Sequence, residues 1–183
     1  MRELSLNVMD IAQNSVTANA SLITITVNES DKDDFLDIFI EDNGKGMTKE
    51  QVQSVIDPFF TTRKTRKVGL GIPLFKMAAE QTGGYLTIES QVGIGTKVHA
   101  HFVKSSVDMT PLGDINSTVK ILIQCNPCLD FVFNHSTDNG EFTLDTRDLR
   151  EVLGEDVPLS TPDVLEWIGG FLEEQSDIIY GGA

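Results

Sequence analysis

Two short segments of alternating apolar and polar residues, with a glycine-rich turn after the second, restrict this chain most strongly. Residues 22–27 read LITITV and residues 35–40 read FLDIFI, and both patterns predict β-strands. A polar stretch rich in Asp joins them, so an antiparallel hairpin is the expected pairing. The second strand ends at residues 42–47, DNGKGM, where an acid and two glycines stop it. Alone, this hexapeptide is equally well an ordinary tight turn.

The segments around this hairpin predict helices and a second hairpin. The predicted elements of residues 1–104 are helices over 3–18, 48–57 and 73–82 and strands over 22–27, 35–41, 85–90 and 97–103. Their order is helix, hairpin, helix, loop, helix, hairpin. This order predicts an α+β domain of two layers, in which helices cover one face of a mixed, mostly antiparallel sheet.

The rest of the chain, residues 105–183, differs from the first part in charge. Residues 1–104 carry 13 acids and 11 bases, whereas residues 105–183 carry 15 acids and 3 bases. We therefore expect a domain boundary at this change in charge, with a first domain over 1–104 and an acidic C-terminal region over 105–183 that binds a partner or extends the sheet. An apolar, strand-like run at 119–124 is predicted there, followed by a small ββαα unit made of a hairpin around residues 136–140, a short helix to Leu153 and a final helix from Pro162.

Composition and charge exclude several classes of function. The net charge is −14 at pH 7, so general binding of nucleic acid is not expected. No apolar run approaches the roughly 18 residues that a membrane span requires. The N-terminus lacks the pattern of a signal peptide, and two cysteines are too few for a disulfide scaffold. We expect a cytoplasmic protein without a membrane or nucleic-acid partner.

Several polar residues and glycines suit a nucleotide. Asp10 and Asn14 are four residues apart and share one helix face. An amide oxygen suits Mg²⁺, and a carboxylate one turn away can take a proton from an attacking group; a solvated polar face is the alternative. Asp42 can accept a hydrogen bond from an exocyclic amine. Gly44 and Gly46 let a flat ring approach the backbone.

A basic loop with glycines lies between two predicted helices. Residues 59–62 read FFTT, residues 63–67 read RKTRK and residues 68–73 read VGLGIP. Glycines just before a helix N-terminus expose backbone N–H groups to an anion, so the basic run can close over phosphates as a lid. A solvated loop is the alternative interpretation of the basic run by itself.

Three further features contain residue types that can take part in binding or catalysis. Thr96 places a hydroxyl at the start of a strand, as an ordinary hairpin also does. His99 and His101 alternate on that strand, but no Cys or acid at ligand spacing accompanies them, which disfavours a metal site. Cys125 and Cys128 form a lone CxxC, which can bind metal or exchange disulfides; without a second pair, a structural turn is the simpler interpretation.

These blocks, in this order and spacing, resemble the GHKL superfamily of ATP-binding domains, which includes histidine kinases, anti-sigma-factor serine kinases, mismatch-repair ATPases and type II topoisomerases. The resemblance covers roughly residues 1–104 and implies a Bergerat-type ATP-binding fold. It implies that Asn14 binds Mg²⁺ and that Asp42 recognises adenine. The other ATP-binding residues that it implies are Gly44, Gly46, Met47, Thr61, Lys64, Lys67, Gly69, Leu70, Gly71 and Thr96.

The chain departs from the family pattern at several positions. Lys67 stands where the glycine motif usually begins, and Thr17 stands where histidine kinases often carry Lys. Asp10 occupies the position of a Glu in serine kinases and mismatch-repair ATPases, which makes it a hypothetical catalytic base. Because only residues 1–6 precede the first-motif helix, we expect no helix with a phosphoacceptor His and no self-contained sensor kinase.

Three functions remain as hypotheses. The first is a stand-alone Mg-ATP-dependent protein kinase that phosphorylates a His or Ser of a separate partner protein in bacterial signalling. The second is a binding module that ATP switches without phosphoryl transfer. The third is a slow ATPase of the mismatch-repair type. The apolar stripe of the last helix suits either the partner protein or a homodimer interface.

Overall fold

The computed structural model describes residues 3–57 and 70–182, which form a six-stranded mixed sheet with helices against one face. The helices are α1 (Leu4–Thr17), α2 (Lys49–Ile56), α3 (Gly71–Gln81), α4 (Ile115–Cys125), α5 (Thr146–Leu153) and α6 (Pro162–Ile179). The strands are β1 (Leu22–Ser30), β2 (Phe35–Asp42), β3 (Tyr85–Gln91), β4 (Gly95–Val103), β5 (Asp130–Thr137) and β6 (Gly140–Asp145). The α+β architecture expected from the order of elements is confirmed.

The sheet order is β3-β4-β2-β1-β5-β6. Every neighbouring pair is antiparallel except β1 and β5, which run parallel. The two hairpins predicted in residues 1–104, β1-β2 and β3-β4, are therefore neighbours in the sheet and are joined by the pairing of β2 with β4. The parallel pairing of β5 with β1 carries the same sheet into the acidic C-terminal region.

The alternation of the strands produces one apolar face of the sheet. Six side chains of β1 and β2 are almost fully buried on that face: Ile23, Ile25, Val27, Leu36, Ile38 and Ile40. Burying one such aliphatic side chain contributes about 1.5–3 kcal/mol to stability. Helices α1, α3 and α4 contribute the facing layer of this core, with Val8, Phe75 and Val119 fully buried. The core thus supports α1, which carries the candidate site residues Asp10 and Asn14.

The prediction of a strand at residues 119–124 was wrong, because these residues lie in α4. The apolar side chains that are buried here are Ile115, Val119, Leu122 and Ile123, whose spacing is that of a helix face. Asp114 caps the helix, since its carboxylate accepts a hydrogen bond from the Ser117 backbone N–H at 3.0 Å. The cap lies upstream of the apolar run and decides its conformation.

The other secondary-structure predictions for the C-terminal region are confirmed. The hairpin forms from β5 and β6, Asp145 caps α5 through the Arg147 backbone N–H, and α6 begins at Pro162. Cys125 and Cys128 are exposed free cysteines at the end of α4 and in the turn after it. Across residues 3–57 and 70–182, no helix is both long and apolar enough to cross a membrane.

The other face of the sheet brings His99 and His101 to a shared acid that sequence spacing did not indicate. Asp37 lies opposite them on β2, and its Oδ1 is 2.9 Å from His99 Nε2 and 2.7 Å from His101 Nδ1. Within the described part of the chain, no group of three or more His, Cys, Asp or Glu side chains is arranged to hold a metal ion. These histidines are paired with a carboxylate.

Candidate nucleotide site

Asp42 lies at the end of β2 and is held by two hydrogen bonds. The Ser15 hydroxyl donates to Asp42 Oδ2 at 2.6 Å, and the Gly44 backbone N–H donates to Oδ1 at 2.9 Å. Ser15 is buried on α1, so the carboxylate is oriented by a neighbouring helix as well as by its own turn. A carboxylate has about four acceptor positions, and these two bonds leave further capacity for a ligand.

The turn of residues 42–47 packs against two other turns so closely that side chains do not fit. A Cβ on Gly44 would lie 2.7 Å from the Ala18 carbonyl oxygen. A Cβ on Gly46 would lie 2.0 Å from the Gln91 carbonyl oxygen, and the Gly46 φ of +71° is itself rare for other residues. Only glycine fits at these two positions, because the backbone of another turn lies too close for a side chain.

Asn43 attaches this turn to the start of β1. Its Oδ1 accepts hydrogen bonds from the backbone N–H groups of Ser21 at 2.8 Å and Leu22 at 3.0 Å. Its Nδ2 donates to the Ser21 hydroxyl at 2.9 Å. All polar atoms of the side chain are thus used within the fold, so Asn43 positions the turn and is not aimed at a ligand.

Thr96 lies directly beside Asp42, because the two residues are partners in the register of β2 and β4. The Thr96 and Ser90 hydroxyl oxygens are 2.7 Å apart. Ser90 also accepts a hydrogen bond from the Met47 backbone N–H at 2.8 Å. Ser90 therefore joins Thr96 to the glycine turn, although nothing in its sequence position suggested a role.

Asp10 and Asn14 lie on the exposed side of α1, next to the start of α3. A Cβ on Gly71, the first residue of α3, would lie 3.1 Å from Asp10 Cβ, so the two helices meet there. Among the described residues, no group hydrogen-bonds to the Asp10 carboxylate or the Asn14 amide. Leu70 is the exposed N-cap of α3 and provides no side-chain cap. Backbone N–H groups at this helix start are suited to an anion.

Helix α1 connects these two groups of residues. Ser15 contacts Asp42, and Asp10 contacts the start of α3 at Gly71. The five-residue separation corresponds to about 7.5 Å along a helix axis. Asn14 lies between the two contacts. One rigid element therefore sets the distance between the part of the site around Asp42 and the part around Gly71.

The structure brings together nine of the residues singled out from the sequence. These are Asp10, Asn14, Asp42, Gly44, Gly46, Met47, Leu70, Gly71 and Thr96. Thr61, Lys64, Lys67 and Gly69, with the rest of the predicted lid, lie outside the described residues. Ser15, Asn43 and Ser90 were not identified from the sequence as part of the site. The one available signal was the Ser15 hydroxyl, which lies on the apolar face of α1 next to Asn14.

A second cluster of polar groups lies at the other end of β1. Glu29 Oε2 accepts a hydrogen bond from the Tyr180 hydroxyl at 2.7 Å and lies 2.8 Å from His135 Nε2. Glu29 Oε1 lies 3.0 Å from Lys104 Nζ. Burial alone would raise the pKa of Glu29, but the bonds to His135, Tyr180 and Lys104 outweigh burial and lower it to about 2. Burial and the Glu29 carboxylate raise the pKa of Tyr180. This cluster connects the end of α6 to the sheet.

The fold and the arrangement of these residues are those expected of an ATPase domain without a P-loop. The chain belongs to the family of histidine kinase-, DNA gyrase B- and HSP90-like ATPases, whose model matches residues 1–106. The GHKL resemblance drawn from the motifs is thereby confirmed.

Curated relatives include bacterial sensor proteins. The chain is 34% identical over 101 residues to the sensor protein SrrB of Staphylococcus aureus strain NCTC 8325 / PS 47, and equally to that of strain COL. Each match covers 52% of this chain and 17% of the sensor protein. The matched part is thus a small portion of those relatives.

Solved structures share the fold over a longer stretch. The N-terminal domain of a DNA repair protein matches with a TM-score of 0.56 at 14% identity, covering 85% of this chain and 58% of that one. The MutL ATPase domain of Aquifex aeolicus, complexed with ADP, matches with a TM-score of 0.50 at 14% identity, covering 100% of this chain and 99% of that one. At this identity the likeness is one of fold, and it includes residues beyond 106.

Proposed function

We propose that this chain binds Mg-ATP and transfers the γ-phosphate to a His or Ser of a separate cytoplasmic protein. The observation that carries the proposal is the orientation of Asp42 by Ser15 and Gly44, directly beside Thr96. A fixed carboxylate at a strand end, next to a hydroxyl and a backbone without side chains, suits the amine edge of adenine. The match of residues 1–106 to the family that includes histidine kinases, and the similarity over 101 residues to a sensor protein, support transfer to protein.

The residues near Gly71 would serve the phosphates. Asn14 fits a Mg²⁺ site, because its amide is exposed on α1, one turn after Asp10, which contacts the start of α3. When bound, Mg²⁺ would neutralise charge on the phosphate oxygens. The N–H groups at the start of α3 would hold phosphate oxygens through backbone hydrogen bonds.

Asp10 is the proposed catalytic base. Its carboxylate is exposed, has no hydrogen-bond partner among the described residues and lies one helical turn from Asn14. It would accept a proton from the attacking side chain of the partner protein as the new bond to the γ-phosphorus forms, the bond from that phosphorus to the bridging oxygen breaks and ADP leaves. The Lys64 and Lys67 side chains are proposed to pair with phosphate, as the family resemblance implies.

A second candidate is a slow ATPase or ATP-dependent switch that does not phosphorylate a protein. The observation in its favour is the fold match to the MutL ATPase domain, which spans the whole of this chain and so includes β5, β6 and α6. In the ATPase, water would be the only phosphate acceptor, whereas in the switch, nucleotide binding alone would control a protein interface.

One labelling experiment separates these functions. The chain is incubated with γ-labelled ATP and proteins from a native lysate, and label is followed on protein and as free phosphate. Label on a protein, lost in Asp42→Ala, supports the kinase. Free phosphate without labelled protein supports the ATPase, and nucleotide binding without either product supports the switch. Retention of full ATP affinity in Asp42→Ala would contradict the proposed site itself.

A further inference from the structure

Strand β6 is an edge of the sheet and has one unpaired side. It is last in the sheet order and pairs only with β5. Within the described part of the chain, the backbone of residues 140–144 makes no hydrogen bond beyond β5. An edge strand presents a row of N–H and C=O groups that another strand can pair with. The free edge therefore has the backbone chemistry to accept an extended segment.

An aromatic pair, the exposed Trp167 and the half-buried Phe171, lies on α6 next to this edge. Phe171 packs edge-on against Phe142 of β6, with ring centroids 6.1 Å apart, and stacks on Trp167 at 5.2 Å. Trp167 is 52% exposed, which is a large fraction for the one tryptophan of the chain. The apolar side chains of β6 thus continue into an accessible surface on α6. We call β6 with Trp167 and Phe171 the β6 edge surface.

The charge around the β6 edge surface is acidic. Glu141 is exposed on β6, and Asp163 and Glu174 are exposed on the same side of α6 as Trp167. The neighbouring Arg147 is already bound to Asp145 through two hydrogen bonds, at 3.0 and 2.8 Å. On the face of β6 that carries Glu141, the unneutralised charge is therefore negative.

We propose that the β6 edge surface binds an extended segment of a partner protein, in which Lys or Arg alternates with apolar residues. The segment would add a strand to β6, a known mode of peptide recognition. Its apolar side chains would lie on the side of Phe142 and Phe171, and its basic side chains on the side of Glu141. The alternation proposed for the ligand matches that of β6, where Phe142 and Leu144 are buried and Glu141 and Thr143 are exposed.

Charge distinguishes this ligand from a second copy of the chain. Two β6 strands paired with each other would bring acidic side chains together across the strands, which destabilises a sheet. A basic segment would place opposite charges there. The inference deepens the proposed function by naming the docking chemistry of its partner, but the binding itself requires no nucleotide and no phosphoryl transfer.

The test uses a dye-labelled peptide of about eight alternating Lys and Val residues, long enough to span β6. Binding is followed without nucleotide by dye anisotropy and by Trp167 fluorescence. Two further peptides carry N-methyl groups on all Lys or on all Val amides. Alternate amides of a strand point to opposite edges, so one methylated form is expected to bind and the other to fail. Equal binding or equal failure of the two forms would overturn strand addition.

Two matched charge reversals locate the site. Glu141→Lys is expected to weaken binding of the Lys-Val peptide by about fivefold or more, because an attractive cross-strand pair becomes repulsive. Glu89→Lys makes the same change on β3, the opposite edge strand, and is expected to leave binding unchanged. Equal effects of the two variants would overturn the assignment to β6, as would a stable dimer that excludes the peptide. Peptide binding by a chain that never transfers phosphate would contradict only the proposed kinase activity.

Discussion

The Ser15 hydroxyl donates a 2.6 Å hydrogen bond to Asp42, from a helix to the end of a strand 27 residues later. This bond fixes the carboxylate that is proposed to recognise adenine. It also attaches the turn of residues 42–47 to α1, which carries Asp10 and Asn14. A change in the position of α1 would therefore displace both parts of the proposed site together.

Replacing Ser15 by alanine is expected to weaken ATP binding. Loss of a hydrogen bond to a charged group costs about 1.5 kcal/mol, which corresponds to about tenfold in affinity. Isothermal titration with ATP measures the change. Ser105→Ala is the control, because the Ser105 hydroxyl also donates to an aspartate, Asp34, at 2.6 Å, but far from the site. Equal affinity in the two variants would contradict the orienting role of Ser15.

Gly46→Ala is expected to abolish ATP binding and to lower the melting temperature. The new Cβ would lie 2.0 Å from the Gln91 carbonyl oxygen, so the glycine turn must move. Gly93→Ala is a matched control, because its φ is +81° but nothing lies within 4 Å of its Cβ. That variant bears only the backbone strain of about 1–2 kcal/mol. Thermal unfolding and ATP titration of both variants measure the difference, and similar losses would refute the argument from close approach.

Asp10→Asn is expected to reduce phosphoryl transfer while ATP affinity stays nearly unchanged. The amide keeps the size of the side chain but cannot accept the proton, and loss of a general base costs about 10²–10⁴-fold in rate. Single-turnover measurements with γ-labelled ATP give the rate, and titration gives the affinity. Glu50→Gln, at an exposed acid on α2, serves as control. An unchanged rate in Asp10→Asn would exclude its role as base.

Glu29 is expected to make stability fall at acidic pH. Its pKa is lowered from 4.5 to about 2 in the folded protein, so the unfolded chain takes up the proton more readily. The contribution to stability is complete above pH 4.5 and is lost as pH falls towards 2. Its upper limit is about 3 kcal/mol, and solvent screening reduces it.

Urea unfolding at a series of pH values, followed by Trp167 fluorescence, measures this contribution. Glu29→Gln is expected to be less stable than the parent at pH 7 and to show a flatter pH dependence below pH 4.5. Glu89→Gln, at an exposed position on β3, is expected to behave like the parent. A parent-like pH dependence in Glu29→Gln would show that the bonds to His135 and Tyr180 contribute nothing.

Local patterns predicted most of the secondary structure correctly. The alternation in residues 22–27 and 35–40 indicated β1 and β2, and the capping box at residues 48–51 indicated α2. The error at residues 119–124 arose because a short apolar run suits a strand as well as a buried helix. The cap at Asp114, directly before the first residue of α4 at Ile115, was the signal that distinguishes them.

The sequence alone indicated the proposed ligand-binding residues of the candidate site, because motif order and glycine positions are local properties of the chain. Tertiary structure alone decided how those residues are held. Ser15 and Asp42, Met47 and Ser90, and Asp37 and His101 are separated by 27, 43 and 64 residues, and strand register or helix packing brings each pair together. Hydrogen bonds depend on distance in space, which local periodicity does not contain. The position of β6 at the sheet edge beside Trp167 likewise depends on the parallel pairing of β5 with β1, which no local pattern specifies.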